Sequence, residues 1–153
     1  MIVDTHLHID DLPALGWKLD AAECVRRMDE AGLDRGVVMT IVDAPEINPN
    51  ALELVADACA TSPGRLEAFA PIHPWYGRES LALLGRAFAL GFEGLKLHPV
   101  STLAHPGGEE TLQLIRAAAE RGAPTLFHCG DEPQATPLAV ARAAAACPQA
   151  TIK

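Results

Sequence analysis

Two histidines close to the N-terminus are the first residues that suggest chemistry. They lie in the segment Asp4-Thr5-His6-Leu7-His8, in which one residue separates His6 from His8. Alternate side chains of a β-strand share a face, so Asp4, His6 and His8 are expected to point the same way. Two imidazoles at this spacing can both bind one divalent ion at about 2.0–2.1 Å. An HxH sequence also arises by chance, so its weight depends on partners elsewhere in the chain.

Two candidate partners for the histidine pair stand at the ends of later apolar segments. His128 is the candidate third metal ligand, with a position beside the metal or the substrate as the alternative. Lys96 stands between two leucines, where a buried ammonium is costly unless it is paired or chemically used. Three roles remain open for Lys96: a carboxylated ligand that bridges two metals, a cation that holds a substrate carboxylate, or a buried ion pair with Asp4 or another acid.

Two further histidines are candidate substrate-binding residues. His98 follows Lys96 by two positions and shares its face, so it is predicted to contact the substrate, with a solvated loop position as the alternative. His73 precedes Pro74 at the end of another apolar segment. A hydrogen-bonded structural role is the alternative for His73.

These candidates are positioned by a repeat of short apolar strands and amphipathic helices. Strand starts lie about 25–35 residues apart, the length of one βα unit in a parallel sheet. Capping residues mark helix boundaries, as Asp20 and Gly32 do for the first helix. The predicted strands are residues 2–7, 35–42, 66–72, 92–97 and 124–128, with a sixth starting at 150–152. The predicted helices are residues 20–32, 50–60, 79–90, 109–121 and 136–147.

Five βα units and the start of a sixth strand fit either an open doubly wound sheet or a (β/α)₈ barrel. A dinucleotide-binding sheet would carry a glycine-rich turn after the first strand, which is missing here. Reactive residues at the ends of several strands favour the barrel. The predicted fold is therefore α/β, a partial (β/α)₈ TIM barrel. Because such a barrel needs about 200–250 residues, we expect residues 1–153 to form the N-terminal part of a longer protein.

The charge and the cysteines restrict the partners and the compartment. With 12 Lys and Arg against 20 Asp and Glu, the net charge is −8, and no basic run is present. Nucleic acid and anionic membranes are therefore not expected as partners, and a small-molecule substrate is. The four cysteines show no CxxC spacing, and the N-terminus does not resemble a signal peptide. A reduced, cytoplasmic location is expected.

The residues at the strand ends resemble the amidohydrolase superfamily, specifically its amidohydrolase-related branch. Members begin with a D-x-H-x-H strand, here Asp4–His8, and carry a G-x-x-G-[IL]-K-L-H-P segment, here Gly91–Pro99. Their fifth strand ends in histidine, here Thr125–His128. The resemblance implies that His6, His8 and His128 bind the metal. It aligns Lys96 with a lysine that is carboxylated in two-metal members and is not a ligand in many one-metal members.

This resemblance implies one or two divalent ions, with zinc expected from the imidazole ligands. The expected reaction is hydrolysis of a C–N or C–O bond in a small carboxylate-bearing substrate by metal-activated water. Non-oxidative decarboxylation or hydration, known in the same branch, is the alternative. The family adds a histidine after its sixth strand and a catalytic Asp after its eighth, both beyond Lys153. We therefore expect the chain alone to bind metal weakly and to be inactive.

Two other hypotheses remain at this point. A metal-dependent phosphoesterase or nuclease barrel can also begin with HxH, but it should carry acidic ligands where this chain has His73 and Lys96. A non-catalytic half-barrel could instead pair with another chain or with its own copy. The apolar residues near Ile152 motivate that hypothesis and leave a homo-oligomer open.

Overall fold

A curved five-stranded parallel sheet forms the centre of the molecule. The computed structural model describes residues 1–13, 16–45 and 50–153. Neighbouring strands follow chain order, in the sequence β1-β4-β5-β6-β7. Their bounds are β1 (Val3–His8), β4 (Arg35–Met39), β5 (Leu66–Pro71), β6 (Gly94–Leu97) and β7 (Thr125–Phe127). A separate antiparallel hairpin joins β2 (Asp10–Leu12) to β3 (Trp17–Leu19).

The connecting helices pack on the outer face of this sheet. They are α1 (Ala21–Ala31), α2 (Ala51–Thr61), α3 (Arg78–Ala89), α4 (Pro99–Thr102), α5 (Glu109–Ala119) and α6 (Pro137–Ala146), with a 3-10 turn at Pro74–Tyr76. The predicted caps hold, since Asp20 accepts a hydrogen bond from the Glu23 amide at 2.9 Å and Gly32 adopts φ 71°. No helix within the described ranges is long and apolar enough to cross a bilayer.

The apolar side chains separate into two clusters, one on each face of the sheet. The larger cluster joins the outer face to the helices and includes Val38, Leu95 and Ile115. The smaller one lies on the inner face and consists of Val37, Met39 and Phe69 with Leu126 packed against it. A curved parallel sheet with helices outside and a small inner core is a half-barrel, so the predicted partial TIM barrel is confirmed.

The predicted sixth strand also begins where expected. Ile152 forms a parallel bridge with Thr125, and the Phe127 amide donates to the carbonyl of Lys153 at 2.8 Å. The hairpin β2–β3 and the single turn of α4 were not predicted. Their segments of three or four residues are too short to show a periodic pattern.

The first strand contains an irregularity that corrects one prediction. Asp4 pairs with Gly36 and Leu7 pairs with Val38, so three steps along β1 match two steps along β4. This extra residue reverses the alternation of side chains. Val3 and Thr5 line the inner cavity, whereas Leu7 approaches Gly36 on the helix side. Asp4 therefore lies on the helix face, and the prediction that it shares a face with His6 and His8 is wrong.

Gly94 fixes how closely β6 approaches the inner core. A Cβ at this position would lie 2.5 Å from ring atoms of Phe69, which is 8% exposed and is its register partner. We expect Gly94→Ala to lower the free energy of unfolding by about 1–3 kcal/mol through overpacking. Gly85→Ala in α3 is the control, because no atom lies within 4 Å of its added Cβ. Urea unfolding should show Gly85→Ala at or above wild-type stability, and equal stability of both variants would contradict this packing.

Candidate metal centre

Five of the six predicted site residues lie at the C-terminal ends of β1, β6 and β7, and His73 lies outside this group, after β5. We call this region the mouth, defined by His6, His8, Lys96, His98 and His128. The Nε2 atoms of His6 and His8 lie 3.2 Å apart, and Nζ of Lys96 lies 2.7 Å from Nε2 of His6. The rings of His98 and His128 stack with centroids 4.0 Å apart and planes 11° from parallel.

The hydrogen bond of His8 determines which of its nitrogens is protonated. Its Nδ1 lies 3.1 Å from the carbonyl oxygen of Thr40. A carbonyl only accepts, so His8 carries its proton on Nδ1 and presents a lone pair on Nε2. Burial lowers the pKa of His8, which favours this neutral form. A backbone carbonyl on the far nitrogen is a common support for a metal-binding histidine.

Lys96 determines the proton position on His6. Burial lowers the pKa of Lys96 to about 8, opposed by the charge of Asp43, so the amine remains mainly an ammonium at pH 7. An ammonium only donates, so Nε2 of His6 accepts from it and carries no proton. Burial and the Lys96 charge lower the pKa of His6 to about 4. His6 is therefore neutral at pH 7.

Both Nε2 atoms thus lack a proton, and that of His6 accepts from the Lys96 ammonium. Across the 3.2 Å that separates the Nε2 atoms, two unprotonated nitrogens cannot share a hydrogen bond, and the Lys96 ammonium is the cation that faces His6 in this chain. A shared proton is disfavoured because the pKa of His6 is about 4. Two nitrogens bound to one tetrahedral zinc ion at about 2.0–2.1 Å would lie about 3.3–3.4 Å apart. The donor pair therefore fits a divalent ion.

His128 belongs to the same mouth, but its role as third ligand remains a prediction. A positive charge on its ring would lower the pKa values of both His6 and His8. In residues 1–13, 16–45 and 50–153, however, no three His, Cys, Asp or Glu side chains are close enough to hold one ion. The structure therefore assembles the first two predicted ligands and leaves His128 stacked on His98.

The sequence match to known families agrees with this geometry. The amidohydrolase 2 family model, described as Amidohydrolase, matches residues 3–152. The chain belongs to the amidohydrolase family. Comparison of this chain with curated protein sequences gives no significant match.

Solved structures share the fold of this chain at low sequence identity. A probable 2-pyrone-4,6-dicarboxylic acid hydrolase from Acinetobacter baumannii, with citric acid bound, is 16% identical over 84% of this chain and 49% of that one, with TM-score 0.60. The 5-carboxyvanillate decarboxylase from Novosphingobium aromaticivorans, complexed with manganese, is 23% identical over 76% and 36%, with TM-score 0.64. The 2,6-dihydroxybenzoate decarboxylase from Rhizobium is 17% identical over 99% and 64%, with TM-score 0.71. The amidohydrolase chain spans between 36% and 64% of these three structures.

The two predicted substrate-binding histidines have the same local arrangement. Nδ1 of His98 accepts a hydrogen bond from the Ser101 amide at 3.1 Å, and Nδ1 of His73 accepts one from the Trp75 amide at 3.3 Å. His73 is 5% exposed, and its ring contacts those of Trp75 and Tyr76 edge-on. The structural alternative for His73 is therefore supported by its contacts, and its contact with substrate stays a prediction.

Two buried aspartates near the mouth were missed by sequence reasoning. Asp43 follows β4, is 5% exposed and accepts a hydrogen bond from the Ser101 hydroxyl at 3.1 Å. Asp10 is 2% exposed and accepts from the Ile41 amide at 3.0 Å. Each acid lies just beyond the end of a parallel strand, and that position was the signal that could have identified both.

Proposed function

We propose that this amidohydrolase chain is the N-terminal part of a metal-dependent hydrolase. The complete enzyme would cleave a C–N or C–O bond of a small carboxylate-bearing molecule. One observation carries the proposal, namely the 3.2 Å approach of the unprotonated Nε2 atoms of His6 and His8. A donor pair of this kind suits a divalent cation better than it suits a hydrogen bond.

His6 and His8, with His128 as the proposed third ligand, would hold the ion. Imidazole donors favour zinc, whereas manganese prefers a larger share of carboxylate ligands. When bound, the ion would polarise a carbonyl and lower the pKa of a water molecule.

The remaining residues of the mouth support binding and orientation. Thr40 holds the His8 ring through its carbonyl oxygen, and Asp10 fixes the loop that carries Thr40 by accepting from Ile41. Lys96 is 2% exposed and places a positive charge beside His6. Its ammonium is the group in this chain best suited to attract the carboxylate of a substrate.

Non-oxidative decarboxylation is the second candidate function. Two of the structures that share the fold are decarboxylases of aromatic acids, by their names. A buried cation such as Lys96 could also orient the carboxylate that is lost. Both candidates therefore use the same ligands and differ in the bond that is broken.

The complete gene product that carries this chain provides the test. It would be loaded with zinc or manganese and assayed against amides and lactones that bear a carboxylate, and against hydroxybenzoates. Hydrolysis products would support the hydrolase, and release of carbon dioxide would support the decarboxylase. Either activity should disappear in His6→Ala. Activity that survives both His6→Ala and metal removal would contradict the proposal.

A further inference from the structure

We propose that His98 binds a substrate carboxylate oxygen as a neutral hydrogen-bond donor through Nε2–H. We further propose that Ser101 and Asp43 are the positioning residues that hold it in this tautomer. The assignment of a carboxylate rests on the proposed function, whereas the tautomer stands on the hydrogen bonds alone.

The tautomer follows from the contact with Ser101. The Ser101 amide lies 3.1 Å from Nδ1 of His98, and a backbone N–H only donates. Nδ1 must therefore carry a lone pair, and the single proton of the neutral ring is on Nε2. His8 has the opposite arrangement, because its Nδ1 faces the carbonyl of Thr40. The mouth thus combines a histidine built to accept at Nε2 with one built to donate there.

This difference separates His98 from the proposed metal ligands. A metal needs the lone pair of an unprotonated nitrogen. At His98 the Nδ1 lone pair is occupied by Ser101, and Nε2 carries the proton. Binding a metal through Nε2 would move the proton to Nδ1 and break the bond to Ser101. His98 is therefore suited to an anionic oxygen, as a charge-assisted hydrogen bond requires.

Ser101 is itself held from outside its own helix. Its hydroxyl donates to Oδ2 of Asp43 at 3.1 Å, across 58 positions of the chain. The other bonds of this turn are local, such as that from the Thr102 hydroxyl to the His98 carbonyl at 3.0 Å. Asp43 is 5% exposed and lies beyond the end of β4. The Asp43–Ser101 bond therefore ties α4, and the amide that His98 needs, to a neighbouring part of the barrel.

Stacking fixes the plane of the ring. The His98 ring lies parallel to that of His128, with the centroids 4.0 Å apart. With Nδ1 fixed by Ser101 and one face covered by His128, the direction of Nε2–H is set before any ligand arrives. A donor that is positioned in advance binds its acceptor with a smaller loss of entropy.

Nitrogen-15 NMR of the histidine rings in the metal-free chain tests the tautomer. We expect His98 to show a single form with the proton on Nε2 and His8 to show the opposite form. Ser101→Ala and Asp43→Asn should both give a mixture of His98 tautomers, and Ser101→Thr, which keeps the hydroxyl, should restore the single form. A wild-type His98 protonated on Nδ1 overturns the tautomer. A spectrum of Ser101→Ala that is identical to that of wild type overturns the role of Ser101 and Asp43 in holding this tautomer.

Two substitutions at His98 distinguish the donor role of Nε2 from the role of Nδ1, which accepts from the Ser101 amide and so caps α4. Asn can accept from the Ser101 amide as Nδ1 does but has no donor at the position of Nε2. Gln reaches that position with an N–H but does not reproduce the cap. With benzoate as the probe and the complete gene product as the protein, we expect His98→Asn to weaken binding about tenfold or more. His98→Gln should stay within a few fold of wild type and have the lower Tm of the two variants.

Each outcome can be assigned to one proposal. Equal benzoate binding by the Asn and Gln variants, or no binding by the wild-type form of the complete gene product, overturns the carboxylate role of His98. Those results would leave zinc binding at His6 and His8 untouched. Conversely, a complete gene product that binds no zinc but retains the Nε2–H tautomer and the Asn–Gln difference would count against the proposed function alone.

Discussion

Replacing His8 with alanine is expected to lower the zinc affinity of the complete gene product by at least about 100-fold. The reason is that His8 supplies one of the two Nε2 lone pairs that lie 3.2 Å apart. Loss of a residue that only supports a ligand already costs about 10–100-fold, so loss of a ligand should cost more. The pKa of His6 is about 4, so protons do not compete with zinc at pH 7. Titration against a chromophoric chelator measures the change.

His105→Ala is the matched control for His8→Ala. His105 is exposed and its Nδ1 accepts from the Gly107 amide at 3.0 Å, away from the mouth. This variant should bind zinc as wild type does. Zinc binding by His8→Ala that equals that of His105→Ala would show that the ion uses other residues.

The strand ends were predictable because parallel strands obey two simple rules. Apolar segments at regular spacing predicted five βα units, and the carboxyl ends of parallel strands meet at one edge. These rules were sufficient to predict that His6, His8 and Lys96 lie close together although about ninety residues separate them in the chain. The 2.7 Å contact between His6 and Lys96 agrees with this prediction. The spacing of residue types thus predicted the neighbourhood of the site.

The orientation of Asp4 was not predictable from alternation. The extra residue between Asp4 and Leu7 reverses the faces of β1, and no glycine or proline marks it in the sequence. A local hydrogen bond accompanies it, from the His6 amide to Oδ1 of Asp4 at 3.0 Å. Aspartate readily makes such bonds to the backbone two residues later, which competes with regular pairing. The Asp4 carboxylate is therefore engaged by the backbone rather than by Lys96.

The proton positions on the histidine rings also could not be predicted from the sequence. His8 is the last residue of β1 and His98 directly follows β6, yet one faces the carbonyl of Thr40 and the other the amide of Ser101. The difference depends on contacts between segments, such as that between Asp43 and Ser101. Residue type and spacing therefore predict which histidines gather, and the surrounding backbone decides which of them can bind a metal and which can donate.

Lys96→Met is expected to make the protein more stable while it removes function. Lys96 is 2% exposed, and burial lowers its pKa to about 8. A methionine of similar shape avoids the cost of burying an ammonium, so the free energy of unfolding at pH 7 should rise by about 1–3 kcal/mol. In the complete gene product the same change should lower activity about 100-fold or more, because the mouth loses its cation. Such opposition between stability and function is common at active sites.

The pH dependence of this gain distinguishes the buried charge from better packing. The pKa of Lys96 is about 8 in the folded chain and about 10.4 when unfolded. Between these values the unfolded state holds more protons, so raising the pH stabilises wild type relative to Lys96→Met. The advantage of the variant should be complete below about pH 8 and nearly absent near pH 10.4. Lys18→Met, at a side chain that is 72% exposed, should show no such change in urea unfolding. An advantage of Lys96→Met that stays constant with pH would mean that packing, and not the buried ammonium, limits the stability of the mouth.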